Sequence, residues 1–151
     1  LARDLRKATL LIFIAHDCPI SNALAREVGR ICRKYDKQGI RSYVVYVEQD
    51  MQPADAHKHW KEFGYPCPGL LDPKRLLVRH GGATKTPEAV LIARNGKALY
   101  RGRIDDTFYD YGKRRDEPRS RDLRRAIDAF LAKKSITPSR TPVVGCYIPD
   151  S

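Results

Sequence analysis

Thr9-Leu10-Leu11-Ile12-Phe13-Ile14-Ala15 runs directly into His16-Asp17-Cys18-Pro19-Ile20-Ser21, and this join decides the fold. The first seven residues are a continuous apolar run rich in strand formers, which reads as a central strand buried on both faces. At Ile20 the period changes. Ile20, Leu24, Val28, Ile31 and Tyr35 recur at helical spacing, with Arg26, Glu27, Arg30, Arg33 and Lys34 on the other faces. Pro19 suits a first helical turn, where its missing N–H costs nothing, and Gly39 ends the helix. Cys18 therefore falls at the end of a strand and the start of a helix.

Outward from this join, residues 41–47 form a second strand, and residues 53–63 a short helix entered through Pro53 and closed by Gly64. Tyr65-Pro66-Cys67-Pro68-Gly69 reads as a loop, because two prolines in three residues exclude a central strand or helix interior. Residues 75–80 suggest a short helix before Gly81-Gly82. Residues 89–93 and 98–101 flank Asn95-Gly96, the strongest short hairpin signal. Residues 104–118 read as an irregular charged and aromatic loop. Ser120 is the expected cap of a last helix, which runs to about Lys133 with Leu123, Ala126, Ile127, Phe130 and Leu131 inward. The first two strands, joined by a helical crossover, should be parallel and right-handed. Adding the hairpin gives a mixed sheet covered by helices on both faces. Residues 1–134 make one α/β unit. Residues 135–151, with three prolines from 138 onward, form an extended tail packing on it.

The length of 151 residues matches about one domain and buries a core without obligatory staples. No apolar run approaches the roughly 18 residues of a membrane helix. The chain begins at Leu1 and shows no signal peptide, as a processed or excised chain would. Net charge is +11, but the bases are dispersed: Arg3, Arg6, Lys7, Arg26, Arg30, Arg33 and Lys34 recur through the first part. The one dense cluster, Lys113, Arg114, Arg115, Arg119, Arg121, Arg124 and Arg125, is interrupted by Asp116, Glu117 and Asp122. It carries no nucleic-acid motif and reads as a solvated basic surface rather than a partner footprint.

The four cysteines, Cys18, Cys32, Cys67 and Cys146, match no zinc template, and their number leaves the compartment open. At Cys18 the free N–H groups and partial positive charge of a helix start favour thiolate. His16 would add to this and Asp17 oppose it.

Strand, turn, Cys18-Pro19-Ile20-Ser21 and helix, followed by Thr86-Pro87 before a strand, resemble the thioredoxin superfamily. Within it the chain resembles the redoxin (alkyl hydroperoxide reductase/thiol-specific antioxidant-like) branch of bacterial domains. The resemblance is carried by Asp17-Cys18-Pro19-Ile20-Ser21-Asn22, Gly82-Ala83-Thr84-Lys85-Thr86-Pro87-Glu88-Ala89, Tyr100-Arg101-Gly102-Arg103-Ile104-Asp105-Asp106 and Val144-Gly145-Cys146, which span most of the chain. It implies a thioredoxin-like three-layer α/β/α sandwich, a cis Pro87 beside the active cysteine, and a substrate groove at Pro19, Thr86 and Pro87. It also implies export, hence a periplasmic or otherwise extracytoplasmic setting, often within a longer polypeptide.

Two departures matter. Ser21 replaces the second cysteine of the thioredoxin Cys-x-x-Cys, so a mixed disulfide at Cys18 has no resolving thiol there. Peroxiredoxins carry a Thr or Ser three residues before the cysteine and a Pro further upstream, where this chain has Ala15 and Leu11. Cys146, in the extended tail, is a candidate resolving thiol. The alternatives are that it pairs with another cysteine or stays free. Cys32 lies beside the apolar face of the first helix and reads first as a buried thiol, with a Cys32–Cys67 disulfide as the alternative.

Several other groups read as structural. His57 and His59, two apart on a helix, do not share a face and read as surface residues rather than a metal site. His16 with Cys18 offers a soft-metal pair with no further ligand. Arg101, Arg103, Asp105 and Asp106 suggest a local ion-pair network. Phe108, Tyr109 and Tyr111 either anchor their loop or stack on a partner. The leading expectation is a thiol–disulfide oxidoreductase with Cys18 as nucleophile and Cys146 resolving, acting on protein or small-molecule thiols and disulfides, without cofactor or metal. Its alternatives are a non-enzymatic thioredoxin-like binding module and a one-cysteine peroxidase.

Overall fold

In a computed structural model, which describes residues 6–149, the apolar run becomes β1 (Ala8–Ile14). Arg3 and the ends of both predicted spans lie outside these residues. All of β1 except Thr9 is buried, so both faces of the strand are covered, as its unbroken apolar sequence requires. β2 (Ile40–Tyr46) pairs parallel to it, Ala8 opposite Ile40 and Ile14 opposite Tyr46.

The predicted single helix between them is divided into α1 (Pro19–Ala23) and α2 (Ala25–Asp36). At Leu24 the backbone turns to ψ 2°, and its amide is shared between the carbonyls of Ile20 and Ser21 at 3.2 Å each. The helix resumes because Val28 N–H donates to Leu24 O at 3.0 Å. Hydrophobic spacing runs through this break unchanged, so periodicity alone does not reveal it.

α3 (Pro53–Glu62) follows, then β3 (Gly69–Leu71), which pairs parallel to β2. The loop expected at residues 65–69 is therefore shorter than the prolines suggest. Pro68 is tolerated beside an edge strand because its carbonyl, not an amide, bonds Val44 N–H at 3.1 Å. α4 (Leu76–Gly81) and β4 (Lys85–Thr86) lead to the hairpin of β5 (Glu88–Ala93) and β6 (Ala98–Gly102). The main sheet has the order β3-β2-β1-β5-β6, with β5 antiparallel to both β1 and β6. It is a mixed sheet in an α/β fold.

Residues 104–118 are not wholly irregular: β7 (Phe108–Asp110) and β8 (Lys113–Arg114) form a small hairpin. α5 (Asp122–Leu131) starts later than expected. Arg121 occupies the cap position without a side-chain hydrogen bond, while Ser120 Oγ donates to Asp122 Oδ1 at 2.9 Å.

α5 packs beside α2 through polar contacts. Tyr35 donates to Asp128 at 2.7 Å, and buried Glu27 accepts a two-pronged bond from Arg124 at 2.7 and 2.9 Å. The basic cluster is in good part spent internally: Arg121 and Arg124 face Glu27, Arg125 pairs with Asp122, and Arg115 with Asp106. The expected network near residues 101–106 is dispersed. Arg103 pairs with Asp122 at 2.6 Å and Arg101 approaches Glu88 at 4.0 Å, rather than either meeting Asp105 or Asp106.

The tail follows β6 before crossing to β4. Arg101 N–H donates to Ser139 O and Thr141 N–H to Arg101 O, at 2.9 and 3.1 Å. Thr141 Oγ1 accepts from Arg103 N–H at 3.0 Å and bonds Tyr100 OH at 2.7 Å. Beyond Thr141, Lys85 Nζ holds Val143 O at 3.0 Å, and β9 (Cys146–Tyr147) pairs antiparallel to β4. No helix among the described residues is long and apolar enough to cross a membrane.

Candidate active site

Cys18 caps α1 in an extended conformation, and the Ser21 N–H donates to its sulfur at 3.4 Å. The cap geometry follows from sequence: Pro19 at the first helical position has no N–H to offer, so the next free donors turn toward residue 18. The carbonyl of Thr86, ahead of the cis Thr86–Pro87 peptide, lies 3.4 Å from Cys18 Sγ. Thr86 is also the register partner of Cys146 in the β4–β9 pair. Cys18 and Cys146 are joined by a disulfide with a Cα–Cα distance of 6.0 Å, across 128 residues of chain.

The tail closes so tightly because residue 145 is glycine: a Cβ there would collide with the carbonyl of Thr86. Gly145→Val is therefore expected to lift β9 off β4 and prevent the disulfide. Peptide mapping after air oxidation should find the Cys18–Cys146 cross-link in the parent and not in the variant. The cross-link in the variant would show that the close approach is dispensable.

Cys18 is almost fully buried, at 1% exposure, because its own partner and the tail cover it. Cys146 is only partly buried. It lines an open cleft of 480 Å³ with Ala15, Asp17, Arg75, Thr86 and Tyr147. Of the two joined cysteines, Cys146 is the one that lines the cleft, an asymmetry the sequence does not reveal.

Behind the turn lies a network that the sequence does not announce. His59, expected at the surface, is buried. Tyr46 OH and His59 Nδ1 are 2.8 Å apart, and His59 Nε2 is 2.8 Å from Asn22 Oδ1. Asn22 in turn donates to the His16 carbonyl at 2.9 Å, so α3 and β2 are tied to the turn that carries Cys18. Burial, together with nearby His16, lowers the His59 pKa and favours the neutral ring this network needs. His57 fits its surface reading and stacks on Trp60. The sequence signal for His59 is its place among Ala56, Trp60 and Phe63, which recur at helical spacing and pack against the core.

His16 Nδ1 is hydrogen-bonded to Glu48, which raises its pKa above the ordinary histidine value against the opposing effect of burial. Asp17, His16 and Glu48 are a group of ligand-type side chains close enough to share a metal ion. Glu48 Oε2 already takes both the ring nitrogen and the backbone amide of His16. The soft-metal pairing of His16 with Cys18 has no thiolate to use while Cys18 is in a disulfide.

No family model matches the chain, and no curated protein does. Solved structures do. An uncharacterized conserved protein from Geobacillus kaustophilus superposes with a TM-score of 0.82 at 27% identity, over 98% of this chain and 79% of that one. A putative thioredoxin from Neisseria meningitidis gives a TM-score of 0.64 at 20% identity, over 89% and 81%. The chain has the thioredoxin fold. A putative thiol:disulfide interchange protein, DsbE, from Chlorobium tepidum shares this thioredoxin fold, with a TM-score of 0.56 at 24% identity over 65% and 68%. The finer redoxin likeness rests on the short motifs of the sequence alone.

Proposed function

We propose that the thioredoxin fold here carries a thiol–disulfide oxidoreductase whose redox pair is Cys18 and Cys146. The observation that carries the reading is the disulfide itself, which joins the strand-end turn to the tail beside Thr86-Pro87 and an open cleft. Cys146 takes the part that Ser21 cannot.

In the reduced protein, Cys18 thiolate attacks a substrate disulfide, forms a mixed disulfide and expels one substrate thiolate. Cys146 then gives up its proton and attacks Cys18 Sγ. The second substrate thiolate leaves, and the Cys18–Cys146 bond closes. Two protein thiols are oxidised and one substrate disulfide is reduced. An external dithiol resets the pair by attacking Cys146, the sulfur facing the cleft, with Cys18 as leaving group. The Ser21 N–H stabilises that thiolate. The hydroxyls of Ser21 and Thr86 are buried without hydrogen-bond partners, in the two residues whose backbones contact Cys18 Sγ, and are donors in reserve for it.

Pro19, Thr86 and Pro87 frame the groove for substrate, a protein or small-molecule thiol or disulfide. An extracytoplasmic setting suits such a pair, because disulfides persist there. The peroxidase alternative is less well served, since residue 15, which lines the cleft, is an alanine without a hydroxyl for a peroxide. The test is reduction of glutathione disulfide or an oxidised peptide with dithiothreitol as recycling reductant. Cys18→Ser is expected to lose at least about 100-fold of the rate over the uncatalysed exchange, as expected for removal of a positioned nucleophile. Turnover equal to the parent's would sink the assignment.

A further inference from the structure

We propose that Cys32 and Cys67 form a second, independent dithiol–disulfide couple, closed by exchange with a small anionic disulfide of the glutathione class. Cys32 is on α2, and Cys67 is in the turn that leads into β3. Both are buried thiols, and their Sγ atoms are 3.3 Å apart, within hydrogen-bond reach. A disulfide needs the sulfurs at about 2.0 Å, so side-chain adjustment of little more than an ångström closes it.

The turn is held in place for this encounter. Trp60 Nε1–H donates to the Cys67 carbonyl at 2.8 Å, and Pro68 O accepts from Val44 N–H. Pro66 packs over Gly29 of α2.

Although deeply seated, the pair forms the floor of an open cleft of 370 Å³. Arg33, Lys37 and Arg41 stand around it against one carboxylate, Asp36, and none of the three cations is in an ion pair among the described residues. Three unpaired cations suit a ligand with carboxylates. Ser42, on the same cleft, is buried with a hydroxyl that has no hydrogen-bond partner. That is the donor a Cys32 thiolate calls for.

The two thiols are also differentiated. A hydrogen bond from the Cys67 S–H to the Cys32 thiolate lowers the Cys32 pKa, against its burial, with help from Ser42 and Arg33. The same hydrogen bond, together with burial, pushes Cys67 up. Cys32 is accordingly the attacking thiol. Its thiolate displaces one glutathione thiolate and forms a mixed disulfide. Cys67 then loses its proton, attacks Cys32 Sγ and releases the second glutathione thiolate. The two protons from the cysteines end on the two glutathione thiols.

The experiment uses the full-length Cys18→Ser/Cys146→Ser variant, so its outcome is independent of the redox reading of that pair. With excess glutathione disulfide, its two thiols are expected to fall to none, with the mass reduced by two hydrogens and no glutathione retained. Adding Cys67→Ser should instead trap one glutathione on Cys32. Hydroxyethyl disulfide, which is uncharged, should react several-fold more slowly than glutathione disulfide at low salt, with the difference shrinking at high salt. Closure of the loop should also raise Tm by several degrees. Peptide mapping of oxidised wild-type protein gives the same cross-link as a readout that does not depend on the variant's folding. Two surviving thiols, or two glutathione adducts in place of a cross-link, would overturn the couple. Equal rates with the two oxidants would overturn the anionic-ligand part.

Discussion

Cys146→Ser should convert the protein from a turnover catalyst into a trap. With this variant, a substrate disulfide is expected to leave a stable Cys18 mixed disulfide, and steady-state reduction should fall by at least about 100-fold. The size of the effect comes from geometry. β9 holds Cys146 against Thr86, whose carbonyl is itself 3.4 Å from Cys18 Sγ, so resolution by Cys146 is intramolecular and already aligned. A solution thiol must replace it from millimolar concentration and without orientation. Ser21→Cys tests the same logic from the other side: a second thiol in the position used by thioredoxins should restore part of the turnover to Cys146→Ser. The accumulated adduct is read by intact mass. An unmodified Cys18 with parental turnover would show that Cys146 has no resolving role.

The largest expected loss of stability is at Glu27, at the contact between α2 and α5. Its carboxylate is 5% exposed and is bonded by Arg124 at 2.7 and 2.9 Å and by Arg30 at 3.0 Å, with Arg121 at 3.8 Å. Glu27→Ala leaves the half-buried Arg124 guanidinium without its counter-charge at the α2–α5 contact. Removing one member of such a pair costs about 3 kcal/mol, or a Tm lower by roughly 6–12 °C for a chain of this size. Burial alone would raise the Glu27 pKa, but the hydrogen bonds from Arg124 and Arg30 outweigh it, and the net shift is downward from 4.5. The sign of the linkage follows. A lowered folded-state pKa contributes stability above the unfolded value and loses it as pH falls through the folded one. Parent and Glu27→Gln should therefore differ most above the unfolded value of 4.5 and converge as pH falls through the lowered folded-state value. Denaturant melts at pH 7 and pH 3 measure this, and a difference that does not vary with pH would contradict it.

The parts legible in the sequence were those governed by local rules. The apolar run into Cys18-Pro19 placed β1 and the helix start within a residue, and Asn95-Gly96 placed the hairpin. What escaped was set by contacts distant in the chain. β3 exists because β2 offers it an edge, although its own sequence is proline-flanked. His59 becomes interior only because Tyr46 and Asn22 converge on it. Cys146 was a candidate partner for Cys18 from the sequence, and the disulfide joins the two, but the path that brings the tail there, guided by Thr141, Lys85 and Gly145, is set by contacts of the fold. The basic cluster misleads for a related reason: charge counted along the chain says nothing of Glu27, Asp106 and Asp122, which meet it in space.

The most direct test of the account is a redox titration of the wild-type protein in glutathione or dithiothreitol buffers, quenched by alkylation and read by peptide mapping. The Cys18 and Cys146 peptides are expected to gain alkyl groups together, in one two-electron transition between about −300 and −120 mV, the span of working thiol–disulfide catalysts. A Cys18–Cys146 cross-link that survives well below that span would make the bond structural, and a cross-link from Cys18 to any other cysteine would contradict the site itself.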